Sequence, residues 1–322
     1  MNKSLPANKW MAGLAAAIVL VAFAAAPALA EQKFEEKFEK TVPLSKTGQF
    51  YLSNVSGQIE VMVWKEAQVK IEALKVSKAD TVDKAKENAA KVTIEVSGEA
   101  DAVRVETKYP KRIGGFWGGD SVKVSVDYKV WVPEQAGVEI KSVSGDVEVA
   151  PIGGKAKIDS VSGNVGVRGA AGADVKLVSG DLEMENVAGD AFIKAVSGNI
   201  DVTKIKGSVE ADAVSGDITL QDVSEAMSVD VKTVSGNVTY AGLLKAGGHY
   251  ELQTHSGDVR MVLPSDSSFD LEANTFSGDI DSDFAITTSG KISPREVRGT
   301  VGKGGATLVL KSFSGNVDLK KK

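Results

Sequence analysis

The sequence predicts an all-β protein, a right-handed parallel β-solenoid of about 18–21 residues per coil, with a β-rich capping region that contains one short helix. Three observations predict it: a repeated four-residue phrase, alternating apolar residues on both sides of that phrase, and glycine at the turns. The phrase is Val-Ser-Gly-Asp or Val-Ser-Gly-Asn. Its glycines, including those of copies with a changed first residue, stand at 145, 163, 180, 198, 216, 236, 257, 278 and 315.

Each repeat contains two short strands separated by two turns. Apolar residues alternate before the phrase, as at Val175 and Leu177, and after it, as at Val147 and Val149. The first set lies an even number of residues from the serine of the phrase, and the second set lies an odd number away. The phrase therefore shifts the phase of the pleat, as a tight corner does, and its glycine permits the backbone conformation that a corner needs.

The last residue of the phrase alternates between Asp and Asn along most of the chain. In sequence order it is Asp146, Asn164, Asp181, Asn199, Asp217, Asn237, Asp258, Asp279 and Asn316. Equivalent residues in neighbouring coils lie about 4.8 Å apart, so two adjacent carboxylates would repel by about 1 kcal/mol in water. Interleaved amides reduce that repulsion. Duplication of a two-coil unit would produce the same alternation.

Residues 1–30 are predicted to be a signal peptide. Lys3 and Lys9 precede an apolar run over Met11–Ala26, and Ala28-Leu29-Ala30 provides a small-x-small cleavage site. An uncleaved membrane anchor is the alternative, because a run of about 20 residues could span a bilayer. We expect an exported protein of the periplasm, cell surface or extracellular space, with no integral membrane span after cleavage.

Composition restricts the classes of function. The chain has a net charge of −5, and removing Lys3 and Lys9 gives −5 − 2 = −7. An acidic chain with evenly spread charge argues against a nucleic-acid partner. It has no cysteine, so no disulfide framework supports the fold and stability depends on the core.

We expect residues 31–135 to form the β-rich capping region and residues 136–322 to form the solenoid. An earlier copy of the phrase, at Val55–Gln58, is predicted to start a first coil. Asp80 is predicted to cap a helix over Thr81–Ala90, with Val82, Ala85 and Ala89 on one face. Such a cap would cover the open strand edge at one end of the solenoid.

The sequence shows no pattern of catalytic or metal-binding residues. A nucleophile elbow, a phosphate loop and the calcium-binding nonapeptide repeat are missing from the sequence. His249 and His255 have no carboxylate or cysteine cluster at ligand spacing. We therefore predict no catalytic residue, no cofactor and no metal. A carbohydrate-active β-helix enzyme is the alternative, since carboxylates from different coils can converge in a groove.

The residue before the repeated serine forms a column of apolar and aromatic side chains. Its members are Val143, Val161, Val178, Val196, Val214, Val234, His255, Phe276 and Phe313. We expect the corner to fold this column into the core. If it were exposed, it would mark a partner surface.

A glycine-rich segment, Tyr109–Asp120, is the second candidate surface. Its predicted contact residues are Lys111, Arg112, Phe116 and Trp117. Large aromatics and positive charge on a flexible loop suit a membrane surface, a glycan or a protein. The alternative is that Phe116 and Trp117 fold back over an open end of the core.

The repeated coils, the export signal and the lead-in Val130-Trp131-Val132-Pro133 together resemble the bacterial putative-adhesin family of exported β-solenoid domains of unknown function. The resemblance covers most of the chain after residue 30 and is strongest over residues 137–319. It implies a non-enzymatic envelope protein that acts as an adhesin or as a scaffold for an envelope protein or glycan. The alternatives are the carbohydrate-active enzyme and a periplasmic envelope-stress partner. The sequence leaves the oligomeric state open.

Overall fold

The computed structural model describes residues 31–110, 123–288 and 293–322. Within these ranges it contains one helix, α1 (Val82–Ala90), and 25 strands. The strands are β1 (Gln32–Ser56), β2 (Ile59–Trp64), β3 (Gln68–Ala79), β4 (Thr93–Lys108), β5 (Val124–Pro133), β6 (Gly137–Ser144), β7 (Val147–Val149), β8 (Lys155–Ser162), β9 (Val165–Val167), β10 (Gly172–Ser179), β11 (Leu182–Val187), β12 (Ala191–Ser197), β13 (Ile200–Ile205), β14 (Val209–Ser215), β15 (Ile218–Val223), β16 (Ser228–Ser235), β17 (Val238–Gly242), β18 (His249–Ser256), β19 (Val259–Leu263), β20 (Phe269–Ser277), β21 (Ile280–Ser282), β22 (Thr287–Thr288), β23 (Glu296–Val301), β24 (Ala306–Ser314) and β25 (Val317–Lys321).

The strands form two long, mostly parallel ladders, which confirms the predicted β-solenoid. Sheet 1 contains the strands that precede the phrase together with β4, β23 and β22 at its ends, in the order β4, β1, β6, β8, β10, β12, β14, β16, β18, β24, β20, β23, β22. Sheet 2 contains the strands that follow it together with β1, β3 and β5 at one end, in the order β1, β3, β5, β2, β7, β9, β11, β13, β15, β17, β19, β25, β21. β1 is long enough to take part in both.

Both sets of alternating apolar residues are buried in one continuous core. In sheet 1, Ile140, Ile158 and Ile193 are fully buried, and in sheet 2 Val147 and Val238 are fully buried. The phase shift predicted at the phrase is therefore confirmed, because residues of opposite parity on its two sides both face inward. The copy at Val55–Gln58 is in register with the next coil, through β1 with β6 and β2 with β7.

The last coils do not stack in chain order. β24 lies between β18 and β20 in sheet 1, and β25 lies between β19 and β21 in sheet 2. The C-terminal coil is thus inserted inside the ladder. Beyond it, β23 pairs antiparallel with β20 and ends the parallel ladder of sheet 1.

At the other end, β3 pairs antiparallel with both β1 and β5, and α1 packs on β3 and β1. The predicted cap of α1 was wrong by one residue. Thr81 is the N-cap, with φ −134° and ψ 153°, and its Oγ1 accepts a hydrogen bond from the Lys84 N–H at 3.2 Å. Ala85 and Ala89 are buried as predicted, whereas Val82 is 49% exposed, so the prediction that it shares their buried face was wrong. Among the described residues no helix is long enough and apolar enough to cross a membrane.

Candidate interaction surface

The phrase forms the corner where the chain passes from sheet 1 to sheet 2. Its glycines have φ between +119° and +156°, a region that side chains disfavour. Each glycine also stacks on the glycine of a neighbouring coil, so that a Cβ at Gly198 would lie 2.0 Å from the carbonyl oxygen of Gly180. Backbone conformation and packing therefore both require glycine here.

A polar side chain just before the corner ties it to the neighbouring coil. Thr254 Oγ1 donates to the Gly236 carbonyl at 2.8 Å, and Thr275 Oγ1 donates to the Gly315 carbonyl at 2.8 Å. At the other end, Asn54 Nδ2 donates to the Val126 carbonyl at 2.8 Å. All three residues are buried, so these bonds fix the corner in a low-dielectric environment.

The column before the repeated serine is exposed, so the prediction that it belongs to the core was wrong. We call it the apolar stripe. In spatial order it consists of Val55, Val143, Val161, Val178, Val196, Val214, Val234, His255, Phe313 and Phe276. The six central valines are 46–52% exposed, Phe313 is 48% exposed and Phe276 is 64% exposed. Nine strand intervals make the stripe about 43 Å long.

The position of the phase shift explains the exposure. In β6, Ile140 points inward, Lys141 outward, Ser142 inward and Val143 outward, so the valine keeps the phase of sheet 1. The shift occurs one step later, at Ser144 and Gly145. The parity of the residues before the phrase contained this information, because inward residues lie an even number of positions from the serine and the valine lies one position away.

The aromatic end of the stripe is a stack of three rings. Phe313 lies between His255 and Phe276, with ring centroids 4.6 Å and 4.7 Å apart and interplanar angles of 12° and 5°. Phe276 and Phe313 become neighbours only because β24 is inserted beside β20. The faces of Phe313 are therefore covered, while its edge faces solvent.

A shallow groove of about 390 Å³ runs along the valine half of the stripe. Val55, Val143, Val161, Val178 and Val196 line it. Lys141, Asp159, Lys176 and Lys194, which lie two residues before four of these valines, also line it, with three positive charges and one negative. The surface is thus an apolar ridge with a basic flank.

The Asp/Asn column forms the opposite flank and alternates without a fault in space. From one end it reads Asp127, Gln58, Asp146, Asn164, Asp181, Asn199, Asp217, Asn237, Asp258, Asn316 and Asp279. Side-chain Oδ1 atoms accept from the backbone N–H of the next level, as Asp181 does from Asn199 at 2.7 Å. The apparent break at Asp258 and Asp279 disappears because Asn316 lies between them.

A second groove, of about 520 Å³, lies on the outer face of sheet 2. Carboxylates of Glu148, Asp181, Glu183 and Asp201 line it, and all four residues are exposed. Glu148 Oε2 occupies the space that a Cβ at Gly166 would fill, and it lies 3.8 Å from Arg168 Nε. This is the groove in which carboxylates from different coils come together.

The predicted loop residues Lys111, Arg112, Phe116 and Trp117 lie outside the described residues. Tyr109 and Lys123, on either side of that segment, lie beside Val55 at the first level of the stripe. Tyr109 Oη donates to the Val124 carbonyl at 3.2 Å, and burial raises the pKa of Tyr109 to about 12.

The histidines form no ligand cluster in the structure. His255 belongs to the aromatic stack, and His249 Nε2 lies 3.9 Å from Glu251 Oε2. Within residues 31–110, 123–288 and 293–322, no group of three His, Cys, Asp or Glu side chains is placed to hold a metal ion.

Comparison with known proteins identifies the kind of fold. The profile of the family described as Toastrack DUF4097 matches residues 49–320. No curated protein gives a significant match. Among solved structures, the chain is similar to a putative cell adhesion protein from Clostridium sporogenes at 11% identity, with 90% of this chain and 100% of that chain covered and a TM-score of 0.25.

Two further solved structures are similar at the same level. A putative lipid binding protein from Parabacteroides distasonis shows 11% identity, covering 88% of this chain and 96% of that one, with a TM-score of 0.33. A putative adhesin from Bacteroides fragilis shows 10% identity, covering 89% and 97%, with a TM-score of 0.30. At such identities and TM-scores, the likeness carries no information about the ligand of this chain.

Proposed function

This chain belongs to the Toastrack DUF4097 family, and we propose that it is an exported, non-enzymatic binding or scaffold module of the cell envelope whose contact surface is the apolar stripe. The exposure of the stripe carries this proposal. Scattered apolar residues on a surface need no explanation, whereas a continuous row about 43 Å long is typical of an interaction site.

The surroundings of the stripe support a binding role. The corners beneath it are fixed by glycine stacking and buried hydrogen bonds, so the side chains are presented on a rigid support. A rigid contact surface loses little conformational entropy on binding. Export is proposed from the signal sequence in residues 1–30, which lie outside the described residues.

The proposal is tested with the mature chain carrying Val196→Glu and Val214→Glu. We expect this variant to lose sedimentation with the envelope fraction of the producing cells, while Glu183→Gln, a change on the outer face of sheet 2, retains it. Equal sedimentation of both variants and the parent would contradict a contact role for the stripe. Cell fractionation with surface protease treatment then distinguishes an adhesin on the surface from a periplasmic module.

The acidic groove favours a second candidate function, a carbohydrate-active β-helix enzyme. Glu183 and Asp201 are paired on adjacent strands, so their backbones lie about 4.8 Å apart. Glycoside hydrolysis uses two carboxylates, one of which is usually kept protonated by burial. Exposure of all four groove carboxylates provides no such burial, which favours the binding module. If the chain released reducing sugar from envelope polysaccharide and Glu183→Gln abolished that activity, the enzyme would be favoured over the binding module.

The loop of Lys111, Arg112, Phe116 and Trp117 is a separate proposal. We expect Phe116→Ala with Trp117→Ala to weaken envelope or partner binding while leaving the melting temperature unchanged. If the loop instead covers the open end of the core, the same change would lower the melting temperature and leave binding intact.

A further inference from the structure

The apolar stripe presents equivalent side chains at every level of sheet 1, at the spacing of hydrogen-bonded strands. A partner that contacts the whole stripe must offer groups at about the same 4.8 Å interval. A second copy of this chain has the same strand spacing, so each of its stripe residues can face the equivalent residue of the first copy. We propose that the stripe is the interface of a parallel homodimer, so that the module associates with the envelope as a pair and the stripe acts through that pairing. The inference rests on the proposed role of the stripe as the contact surface.

Charge on the two flanks selects the orientation. One flank, two residues before the stripe, contains Ser53, Lys141, Asp159, Lys176, Lys194, Asp212, Lys232, Gln253, Lys311 and Asn274, which sum to five positive and two negative charges. The other flank, at the corner, contains Asp146, Asp181, Asp217, Asp258 and Asp279 separated by neutral amides. The flanks are therefore of opposite sign.

Two symmetric arrangements can bring one stripe onto another. A two-fold axis parallel to the stripe places the lysine flank of each copy against the Asp/Asn flank of its partner. An axis parallel to the strands places lysine flank against lysine flank and aspartate against aspartate. Like charges at close distance repel, so the first arrangement is selected. In it, the two copies run in the same direction and every stripe residue faces its own counterpart.

The lysines remain available for such contacts. In their ion pairs within the chain the lysine side chains themselves stay exposed, as in Lys141 with the half-buried Glu139 at 3.8 Å and Lys194 with Asp212 at 3.6 Å. Surface pairs of this kind contribute little, so exchanging or sharing partners across an interface is inexpensive.

The area is sufficient for a stable dimer. The stripe and its two flanks extend about 43 Å along the solenoid and about 20 Å along the strands, which gives roughly 860 Å². A standard specific interface buries about 800 Å² on each partner. The aromatic end, which is included in this length, raises the apolar share of the area, since Phe276 is 64% exposed.

The chain has no cysteine, so a single introduced thiol reports one position. Val143→Cys and Val234→Cys lie five levels apart, about 24 Å along the stripe. In the parallel dimer each introduced thiol faces its own copy across about 10 Å. A short bis-maleimide should therefore crosslink both variants to dimers, and Glu183→Cys on the outer face of sheet 2 should stay monomeric.

Sedimentation of the parent chain should give twice the monomer mass, and Val196→Glu with Val214→Glu should give the monomer mass with an unchanged melting temperature. Crosslinking at only one of the two cysteine positions would overturn the parallel orientation. Monomer mass across a concentration series, with no crosslinking, would overturn the homodimer. If the chain is monomeric but the double Glu variant loses envelope sedimentation, the homodimer fails and the proposed function stands. If the double Glu variant changes neither the mass of the chain in solution nor its sedimentation with the envelope, the homodimer and the proposed function both fail.

Discussion

The backbone N–H of Asn316 donates to Asp258 Oδ1 at 2.7 Å, although the two residues are 58 positions apart. The N–H of Asp279 in turn donates to Asn316 Oδ1 at 3.0 Å. An amide thus separates two carboxylates that follow one another in the sequence of the phrases. Duplication of a two-coil unit would preserve alternation along the chain, whereas the observed alternation follows the spatial order. That favours avoidance of carboxylate contacts as its cause.

Replacing the amides in the middle of this column tests that account. Asn199→Asp with Asn237→Asp creates five consecutive carboxylates, from Asp181 to Asp258. Each new adjacent pair at about 4.8 Å repels by about 1 kcal/mol in water. We expect a lower melting temperature, with the largest loss at low salt, because salt screens exposed charges.

The matched control is Asn186→Asp with Gln253→Glu, which adds the same two charges outside the column, the second of them beside Lys232 and Lys311. It should change the melting temperature little at any salt concentration. Equal losses in the two double variants, or a loss independent of salt, would argue against repulsion within the column.

The corner glycines give a sharp stability prediction. In Gly198→Ala the new Cβ would lie 2.0 Å from the Gly180 carbonyl oxygen, at φ +125°. Backbone atoms in the ladder cannot move aside without breaking neighbouring hydrogen bonds, so we expect a large loss of unfolding free energy, well above 1 kcal/mol. Gly247→Ala is the control. Its φ is also positive, at +76°, but a Cβ added there would have no atom within 4 Å apart from those of the adjoining residues. If urea unfolding showed similar losses of unfolding free energy in the two variants, the positive φ alone, and not the close packing, would explain the need for glycine.

Exposure of the stripe predicts tolerance to polar substitution. Val196 is 49% exposed, whereas Val202 is 1% exposed in the neighbouring sheet. Replacing either valine by Thr keeps a β-branched side chain. At position 202, however, the new hydroxyl would be buried without a hydrogen-bond partner, at a cost of about 1–3 kcal/mol. We expect Val196→Thr to leave the free energy of unfolding of the mature chain almost unchanged and Val202→Thr to lower it. The reverse ranking would mean that Val196 packs inside its own chain and does not lie on the chain's surface.

Tyr109 predicts a loss of stability at alkaline pH. Burial raises its pKa in the folded chain to about 12, above the usual value of 10.0. A raised folded pKa means that the unfolded chain loses its proton first, so the stabilisation is complete below about pH 10 and declines as the pH rises toward 12. Unfolding in urea at pH 8 and pH 11 should show this decline, and Tyr109→Phe should reduce its slope. If the free energy of unfolding of Tyr109→Phe declined with pH as steeply as that of the parent chain, other tyrosines would be responsible for the decline.

Repeat spacing and parity were enough to predict the solenoid, its two strands per coil and the corner at the phrase. These features are local: a glycine at fixed intervals and period-two burial require no knowledge of distant contacts. The helix was also predicted, and its cap was misplaced because Asp80 and Thr81 both suit an N-cap. Only the backbone at Thr81, extended before the first turn, distinguishes them.

The candidate surface was predicted less well, although its residues were identified. The parity that places Ile140 inside also places Val143 outside, but the expectation that valine is buried outweighed it. The acidic groove could not be predicted, because Glu148, Glu183 and Asp201 lie on different coils and meet through lateral pairing.

The sequence by itself determined the repeating corner, since glycine and alternating apolar residues act within one coil and its immediate neighbour. Only the tertiary structure decided the order of the last coils, whereas the parity of the residues before the phrase already assigned the stripe to the outer face. Strand insertion depends on pairing between segments that are distant in the chain, since β24 pairs with β18 on one side and β20 on the other. It places Asn316 between two aspartates and Phe313 between two rings, which no local pattern specifies.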